Sequence, residues 1–425
     1  MECKVNVSEH SVIAESLDDD DLEIFNEFYE SVDPKYLGLH QEQQFENNVY
    51  TTVLKSHYYI GYKWLNKNDY IHVSAKKDHN DKEADYLNMF VTCLDDPIVS
   101  QKLDKAYQID FDDRWINIKE NEDEITPLIV LHFLKIVKKL SQKGLKKGYI
   151  KVTENLTSKI KGKILINQTI RHNHFKNRLD KTICNYQIFT VNCLENMIIK
   201  TALMQCSRHL SGIDNEDIFK LLRQNINAFE SVDTKEVFAN DFSKIKYSPF
   251  YKEYSEALKL AKMIFKRFGF TLNSSTEEYV LRIPPFHINM PELFERYVEV
   301  KLNLAGIKTI DGNKENVSNW SMQPDFIVPG KGIIIDAKYK YWFHSDNHEN
   351  SNYKADYMQL SLYGRDKKTR KIIGLEESNE EAALVFIYPS IDGNKKIDLT
   401  SCESSEKFNN ISKIPLYIPV IKENK

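Results

Sequence analysis

The sequence predicts an α/β protein in two parts: an α+β N-terminal region over residues 49–285 and an α/β C-terminal domain over residues 286–425, after an acidic extension over residues 1–48. Three observations predict it. At 425 residues the chain exceeds what one hydrophobic core usually serves. Upstream of Pro284-Pro285 a β-like hairpin gives way to a series of amphipathic helices. Downstream the pattern is helix, hairpin, helix, strand, which is the order of an α/β layer.

The elements follow in chain order. Residues 1–50 hold thirteen Asp and Glu against two Lys, including Asp18-Asp19-Asp20-Asp21. That charge predicts a mobile extension with a short amphipathic helix near Leu22–Tyr29. His57–Tyr62 and Tyr70–Ala75 read as paired strands about a turn at Asn66-Lys67-Asn68-Asp69. Glu83–Cys93 reads as a helix. So does Glu124–Leu140, where Leu128, Leu131, Leu134 and Val137 make an apolar stripe that ends near Gly144. Lys161–Gln168 reads as β, and Thr190–Arg208, Phe219–Phe229 and Lys252–Phe268 as helices. Beyond residue 285 come a helix over Pro291–Leu304, strands at Asp325–Val328 and Ile333–Lys340, a helix over Tyr353–Tyr363 and a strand over Ala382–Tyr388.

Composition narrows the function classes. With 41% hydrophobic and 28% charged residues the chain reads as soluble and globular. It has no apolar run of about 18 residues, so no membrane span is expected. The acidic start lacks the h-region of a secretory signal. The six cysteines form no C-x-x-C pair, which argues against zinc and for reduced thiols in a cytoplasmic protein. Residues 133–181 hold fourteen Lys and Arg against Glu154 and Asp180. Lys146, Lys147, Lys161 and Lys163 are therefore candidates for contact with DNA or a partner, though a solvated helix face explains such charge equally well.

The chemistry concentrates in Pro324-Asp325-Phe326-Ile327-Val328-Pro329-Gly330-Lys331-Gly332-Ile333-Ile334-Ile335-Asp336-Ala337-Lys338. Pro329-Gly330-Lys331-Gly332 folds the two apolar runs back on each other. Side chains alternate along a strand, so Asp336 and Lys338 share a face, and the hairpin can bring Asp325 beside them. Two carboxylates so placed repel unless a cation lies between them. Hard oxygen ligands suit Mg²⁺, which shares phosphate oxygens with a substrate. Lys338 can orient or deprotonate an attacking water, or stabilise developing negative charge. A salt bridge at a strand end is the competing explanation.

Two flanking helices bear on the choice. Glu292, Glu295 and Glu299 fall on one stripe, with Glu292 and Glu299 read as solvated and Glu295 as an auxiliary metal ligand or another surface charge. Gln359 and Tyr363 lie four apart on one face. Gln359 reads as a residue that contacts substrate or holds Lys338, and Tyr363 as core.

In the order Phe294-Glu295, Pro324-Asp325, Asp336-Ala337-Lys338 and Gln359-x-x-x-Tyr363, the chain resembles the PD-(D/E)xK nuclease superfamily. Upstream, Tyr59-Ile60-Gly61, Gly144-Leu145-Lys146-Lys147-Gly148-Tyr149, Lys161-Gly162-Lys163-Ile164 and Cys184-Asn185-Tyr186 resemble McrC-like subunits of McrBC-type 5-methylcytosine restriction systems. The resemblance runs from about residue 50 to about residue 390. It implies a restriction-endonuclease-like C-terminal domain, a mixed central sheet flanked by helices. It also implies that Asp325, Asp336 and Glu295 hold Mg²⁺, that Lys338 assists the chemistry, and that the substrate is double-stranded, modified DNA. It further implies a hexameric AAA+ GTPase partner that binds GTP and is stimulated by the N-terminal region. The chain itself has no G-x-x-x-x-G-K-[ST] loop. It departs from the family at Val73-Ser74-Ala75-Lys76, where a Pro usually precedes Lys, and in its acidic extension. Three functions are weighed: the nuclease subunit of a restriction system, a stand-alone repair or processing nuclease, and a non-catalytic GTPase-activating adaptor, which the intact Asp325, Asp336 and Lys338 argue against.

Overall fold

The computed structural model describes residues 3–8, 39–46, 49–56, 58–64, 69–77, 82–110, 113–118, 125–209, 216–245, 252–268, 281–312, 318, 323–340, 351–400, 402–405 and 408–421. The helix expected near residues 22–29 and the turn at 66–68 lie outside them. The chain forms two units: residues 1–118 with 282–425, and residues 119–281. The first is thus assembled from both ends of the sequence, and the second break falls beside Pro284-Pro285. Among the described residues, no helix is long and apolar enough to cross a membrane.

The first unit contains a five-stranded sheet in the order Cys3–Ser8, Asp69–Ser74, Tyr59–Trp64, Phe286–Asn289, Tyr107–Ile109. Its central hairpin is the one the sequence predicts. Its outer strand is not, because Cys3–Ser8 begins the segment expected to be mobile. Lys4-Val5-Asn6-Val7 alternates polar and β-branched residues, and Val5 and Val7 pair in parallel beside Ile71 and Val73. Leu39–Glu46 and Val49–Ser56 form a separate antiparallel pair.

The second large sheet of this unit is mixed. Its order is Ile310–Asp311, Phe326–Val328, Ile333–Ala337, Ala383–Ser390, Ile411–Tyr417, Glu403–Ser404. The hairpin of Phe326–Val328 with Ile333–Ala337 is antiparallel. Gly330 and Gly332 supply its turn with φ of 65° and 70°, which glycine adopts without steric cost. Ile333–Ala337, Ala383–Ser390 and Ile411–Tyr417 then run parallel. Ile411–Tyr417 was not expected from the sequence, although Ile411, Ile414 and Leu416 are buried like residues of a central strand.

Alternation sorts the side chains of this sheet. Ile327, Ile334, Leu384, Phe386 and Tyr388 gather with Leu360 and Tyr363 of the Ser351–Arg365 helix in one core. Burial of each such side chain stabilises the fold by roughly 1.5–3 kcal/mol. Asp336 alternates in step with Ile334, so it faces the same helix. The Met290–Leu304 helix begins where the Asn289 side chain accepts from the Glu292 amide at 3.2 Å, with Pro291 in the first turn. It buries Leu293, Phe294, Tyr297, Val298 and Leu302. Tyr297 donates to the Tyr417 carbonyl at 3.2 Å, and the Phe294 and Tyr339 rings lie 5.8 Å apart.

The second unit joins the helices Ile125–Lys143, Leu194–His209, Glu216–Ala228 and Lys252–Phe268, all close to their expected positions. It also carries a long antiparallel ribbon, Gly148–Thr157 with Lys181–Thr190, that the sequence reading missed. The β segment expected over 161–168 shrinks to Lys163–Ile164, and Ile166–His172 is helical. Tertiary bonds decide this. Leu165 donates its amide to Ile183 O at 2.8 Å, and Thr169 Oγ1 accepts the Ile183 amide at 3.0 Å. A helical turn satisfies both on the ribbon, and an extended chain would carry Thr169 past it.

Candidate active site

The hairpin register explains why Asp325 meets Asp336 and Lys338. Phe326 pairs with Ile335, so the next step along the antiparallel pair sets Asp325 opposite Asp336. Asp325 Oδ2 accepts the Ala337 amide at 2.7 Å. Lys338 Nζ lies 2.9 Å from Asp336 Oδ2. That oxygen is buried, and the ammonium is the partner that reaches it.

The Ser351–Arg365 helix completes the other side. Lys338 donates to Gln359 Oε1 at 3.3 Å, and Gln359 donates through Nε2 to the Tyr363 hydroxyl at 2.6 Å. Gln359 is exposed as a residue, and its amide spans Lys338 and Tyr363. Tyr363 is core, as expected, at 3% exposure. Asp356 lies 3.9 Å from Lys338 and forms a close ion pair with Lys340.

Electrostatics mark the group as strained when no cation is added. Burial raises Asp325 well above the ordinary carboxylate range, and the charges of Asp336 and Glu295 add to it. Burial also raises Asp336, against the opposing pull of Lys338. For Lys338 burial acts downward, but Asp336 outweighs it and holds the ammonium firmly protonated. Two buried carboxylates that raise each other's proton affinity fit a hard divalent cation that keeps several waters and takes one or two protein carboxylates. Among the described residues no group of three or more His, Cys, Asp or Glu is arranged to hold a metal.

Glu295 explains the missing third carboxylate. It lies near enough to raise Asp325 electrostatically, but its Oε1 accepts from Arg296 Nη2 at 2.5 Å. Burial pushes Glu295 up to about 7, with Arg296 opposing. Arg296 is only 4% exposed and sits among three glutamates: its Nε donates to Glu292 at 2.9 Å and its Nη1 to Glu299 at 2.8 Å. Lys102 joins from the N-terminal part of the same unit, donating to Glu299 at 2.6 Å and Asp311 at 2.9 Å. Glu292 and Glu299 are therefore not the solvated charges the stripe suggested. The spacing Glu292-x-x-Glu295-Arg296-x-x-Glu299 carried the signal, since it puts a guanidinium within reach of all three. Asp356, three residues before Gln359, was missed for want of any partner in sequence; Lys340 supplies one only in the fold.

The four lysines proposed for contact divide. Lys146 is held by Glu195 Oε1 at 2.7 Å, and its carbonyl accepts from Asn196 at 2.9 Å. Its ammonium is thus part of the second unit's own structure. Lys147, Lys161 and Lys163 are exposed, Lys161 lying 5.2 Å over the Tyr186 ring.

The sequence profile of the family described as McrBC 5-methylcytosine restriction system component matches residues 54–375. Among solved structures, the chain is similar to one in a refined half-complex from a tetradecameric assembly of Thermococcus gammatolerans McrB AAA+ hexamers with bound McrC. The identity is 16% and the TM-score 0.40, with 97% of this chain and 94% of that chain covered. It is also similar to a chain of the cryo-EM structure of the Thermococcus gammatolerans McrBC complex, at 16% identity and TM-score 0.31, covering 72% of this chain and 89% of that one. No curated protein matches.

Proposed function

Because the chain belongs to the family of McrBC 5-methylcytosine restriction system components, we propose that it is the DNA-cleaving subunit of such a system. In this reading its six-stranded sheet is the core of a restriction-endonuclease-like domain of the PD-(D/E)xK type. The observation that carries the reading is the meeting of Asp325, Asp336 and Lys338 at the end of a buried hairpin.

Asp325 and Asp336 would hold Mg²⁺, which supplies positive charge for a scissile phosphate and eases deprotonation of water. Lys338, kept protonated by Asp336, acts as a cation rather than a base and offers its protons to a phosphate oxygen. Gln359 holds the ammonium in place from the opposite side. Glu295 has one oxygen, Oε1, on Arg296, so it would join the site as an auxiliary ligand rather than a principal one.

The partner in this reading is a hexameric AAA+ GTPase that binds GTP and whose hydrolysis this chain stimulates; the first of the similar chains comes from an assembly of McrB AAA+ hexamers with bound McrC. Lys147, Lys161 and Lys163 are proposed as contacts to DNA or to that partner. The test is cleavage of methylated plasmid with Mg²⁺, with and without the partner and GTP, comparing wild type with Asp336→Ala. Cleavage by wild type in the full mixture and none by the variant is expected. Equal cleavage by a pure variant preparation refutes the assignment.

A further inference from the structure

Lys338 has three oxygens within reach. Asp336 Oδ2 is at 2.9 Å, Gln359 Oε1 at 3.3 Å and Asp356 Oδ1 at 3.9 Å. The last belongs to a second carboxylate, and Asp356 is buried at 9% exposure. Coulomb attraction in such a place is weakly screened, so a bare Asp356 would compete with Asp336 for the same ammonium. It is not bare. Just after the strand the chain makes a tight turn, in which the Lys340 amide donates to the Lys338 carbonyl at 2.8 Å. The turn brings a second ammonium onto the same helix, and Lys340 pairs closely with Asp356 Oδ2.

We propose that Lys340 is a positioning residue: by occupying Asp356 it leaves Lys338 on Asp336, where the reaction needs it. The claim rests on the nuclease reading for its consequence, but its geometry stands separately. Helix spacing supports it. Asp356, Gln359 and Tyr363 recur at i, i+3 and i+7, so one stripe carries both the competitor for Lys338 and the amide that holds it. Lys340 thus separates two carboxylates that would otherwise share one cation.

The test uses the full chain with its partner, GTP and Mg²⁺. Lys340→Met keeps the apolar stem and removes the charge. A fall in kcat of about 100-fold is expected, the scale of a 1 Å misplacement, with KM unchanged. Adding Asp356→Asn in the same chain removes the competitor, so the double variant should recover most of the lost kcat. Asp356→Asn alone should cost less than Lys340→Met. A crystal structure of Lys340→Met should show Lys338 Nζ moved onto Asp356 and away from Asp336.

A role in holding substrate directly would raise KM, leave kcat alone and give no rescue in the double variant, and any of these overturns the proposal. So does a Lys340→Met structure in which Lys338 stays on Asp336. If wild type itself cleaves nothing while Lys338 moves in the variant structure, the nuclease reading fails and the positioning claim survives.

Discussion

The carboxylate of Asp325 accepts the backbone amide of Ala337 at 2.7 Å, so one candidate metal ligand is tied to the peptide that joins the other candidate ligand to Lys338. The bond fixes the hairpin's end and sets the two aspartates together. It also separates two roles that substitution can tell apart, since an amide oxygen accepts the same hydrogen bond without the charge.

Asp325→Asn should therefore keep the Ala337 bond and, with the repelling charge gone, melt no lower than wild type, while abolishing Mg²⁺-dependent cleavage. Asp325→Ala should lose cleavage and about 1 kcal/mol of stability. Melting curves and a cleavage assay on both variants check this. A fully active Asp325→Asn protein removes Asp325 from the chemistry.

Stability should depend on pH through Glu295. Burial lifts its carboxyl from 4.5 to about 7. The folded chain thus binds more protons than the unfolded one across that window, and stability falls as pH rises through it. The contribution is complete below about 4.5, is lost above about 7, and amounts to at most about 3 kcal/mol. Glu295→Gln should lessen the dependence between pH 5 and pH 8 in metal-free buffer, leaving the part that Asp325 and Asp336, raised in the same sense, contribute. The comparison with wild type isolates it from His287, whose pKa burial lowers and whose effect has the opposite sign. A wild-type profile that matches the variant's across this range contradicts the assignment.

Gln359→Leu removes both the acceptor for Lys338 and the donor to Tyr363. Because Gln359 is exposed, stability should change by no more than about 0.5 kcal/mol. Cleavage should slow by roughly 10- to 100-fold if the ammonium loses its position. Tyr363→Phe keeps the buried ring and should be milder in rate. Single-turnover kinetics on the two variants decide the matter; equal rates for wild type and Gln359→Leu would discard the positioning role.

Lys146 and the pair Lys161 and Lys163 should behave differently. Lys146→Ala leaves Glu195 without its partner and should lower the melting temperature. Lys161→Ala with Lys163→Ala should leave it unchanged. If that pair contacts phosphate, the salt slope of DNA binding should fall by about 0.9 per contact. An unchanged slope with lost GTPase stimulation assigns the pair to the partner. A double variant normal in both measurements ends the contact proposal.

Much of the site was legible because strand periodicity is local. Asp336 and Lys338 share a face by alternation, and Pro329-Gly330-Lys331-Gly332 announces the turn that returns Asp325. Helices were legible for the same reason, as with Lys252–Phe268, whose bounds match. What escaped depends on long-range partners. Cys3–Ser8 becomes a strand because Asp69–Ser74 offers an edge, while acid-rich neighbours hid its alternation. Ile166–His172 becomes a helix because Ile183 bonds to it. Lys146 reads as a free basic residue until the fold sets Glu195 beside it. Lys102 lies 197 residues from the glutamate it holds, a separation that no local pattern spans.

The first unit's two-ended assembly changes how damage to the gene will be scored. Phe286–Asn289 bonds to Tyr59–Trp64 on one side and Tyr107–Ile109 on the other, and its last residue caps the helix that bears Glu295. A fragment cut to begin at residue 286 would start with an orphaned strand and would lose Lys102 from Glu299 and Asp311. Lesions in the first quarter of the reading frame should therefore mimic catalytic nulls. Supplying residues 1–118 as a separate polypeptide should complement them better than any longer C-terminal piece.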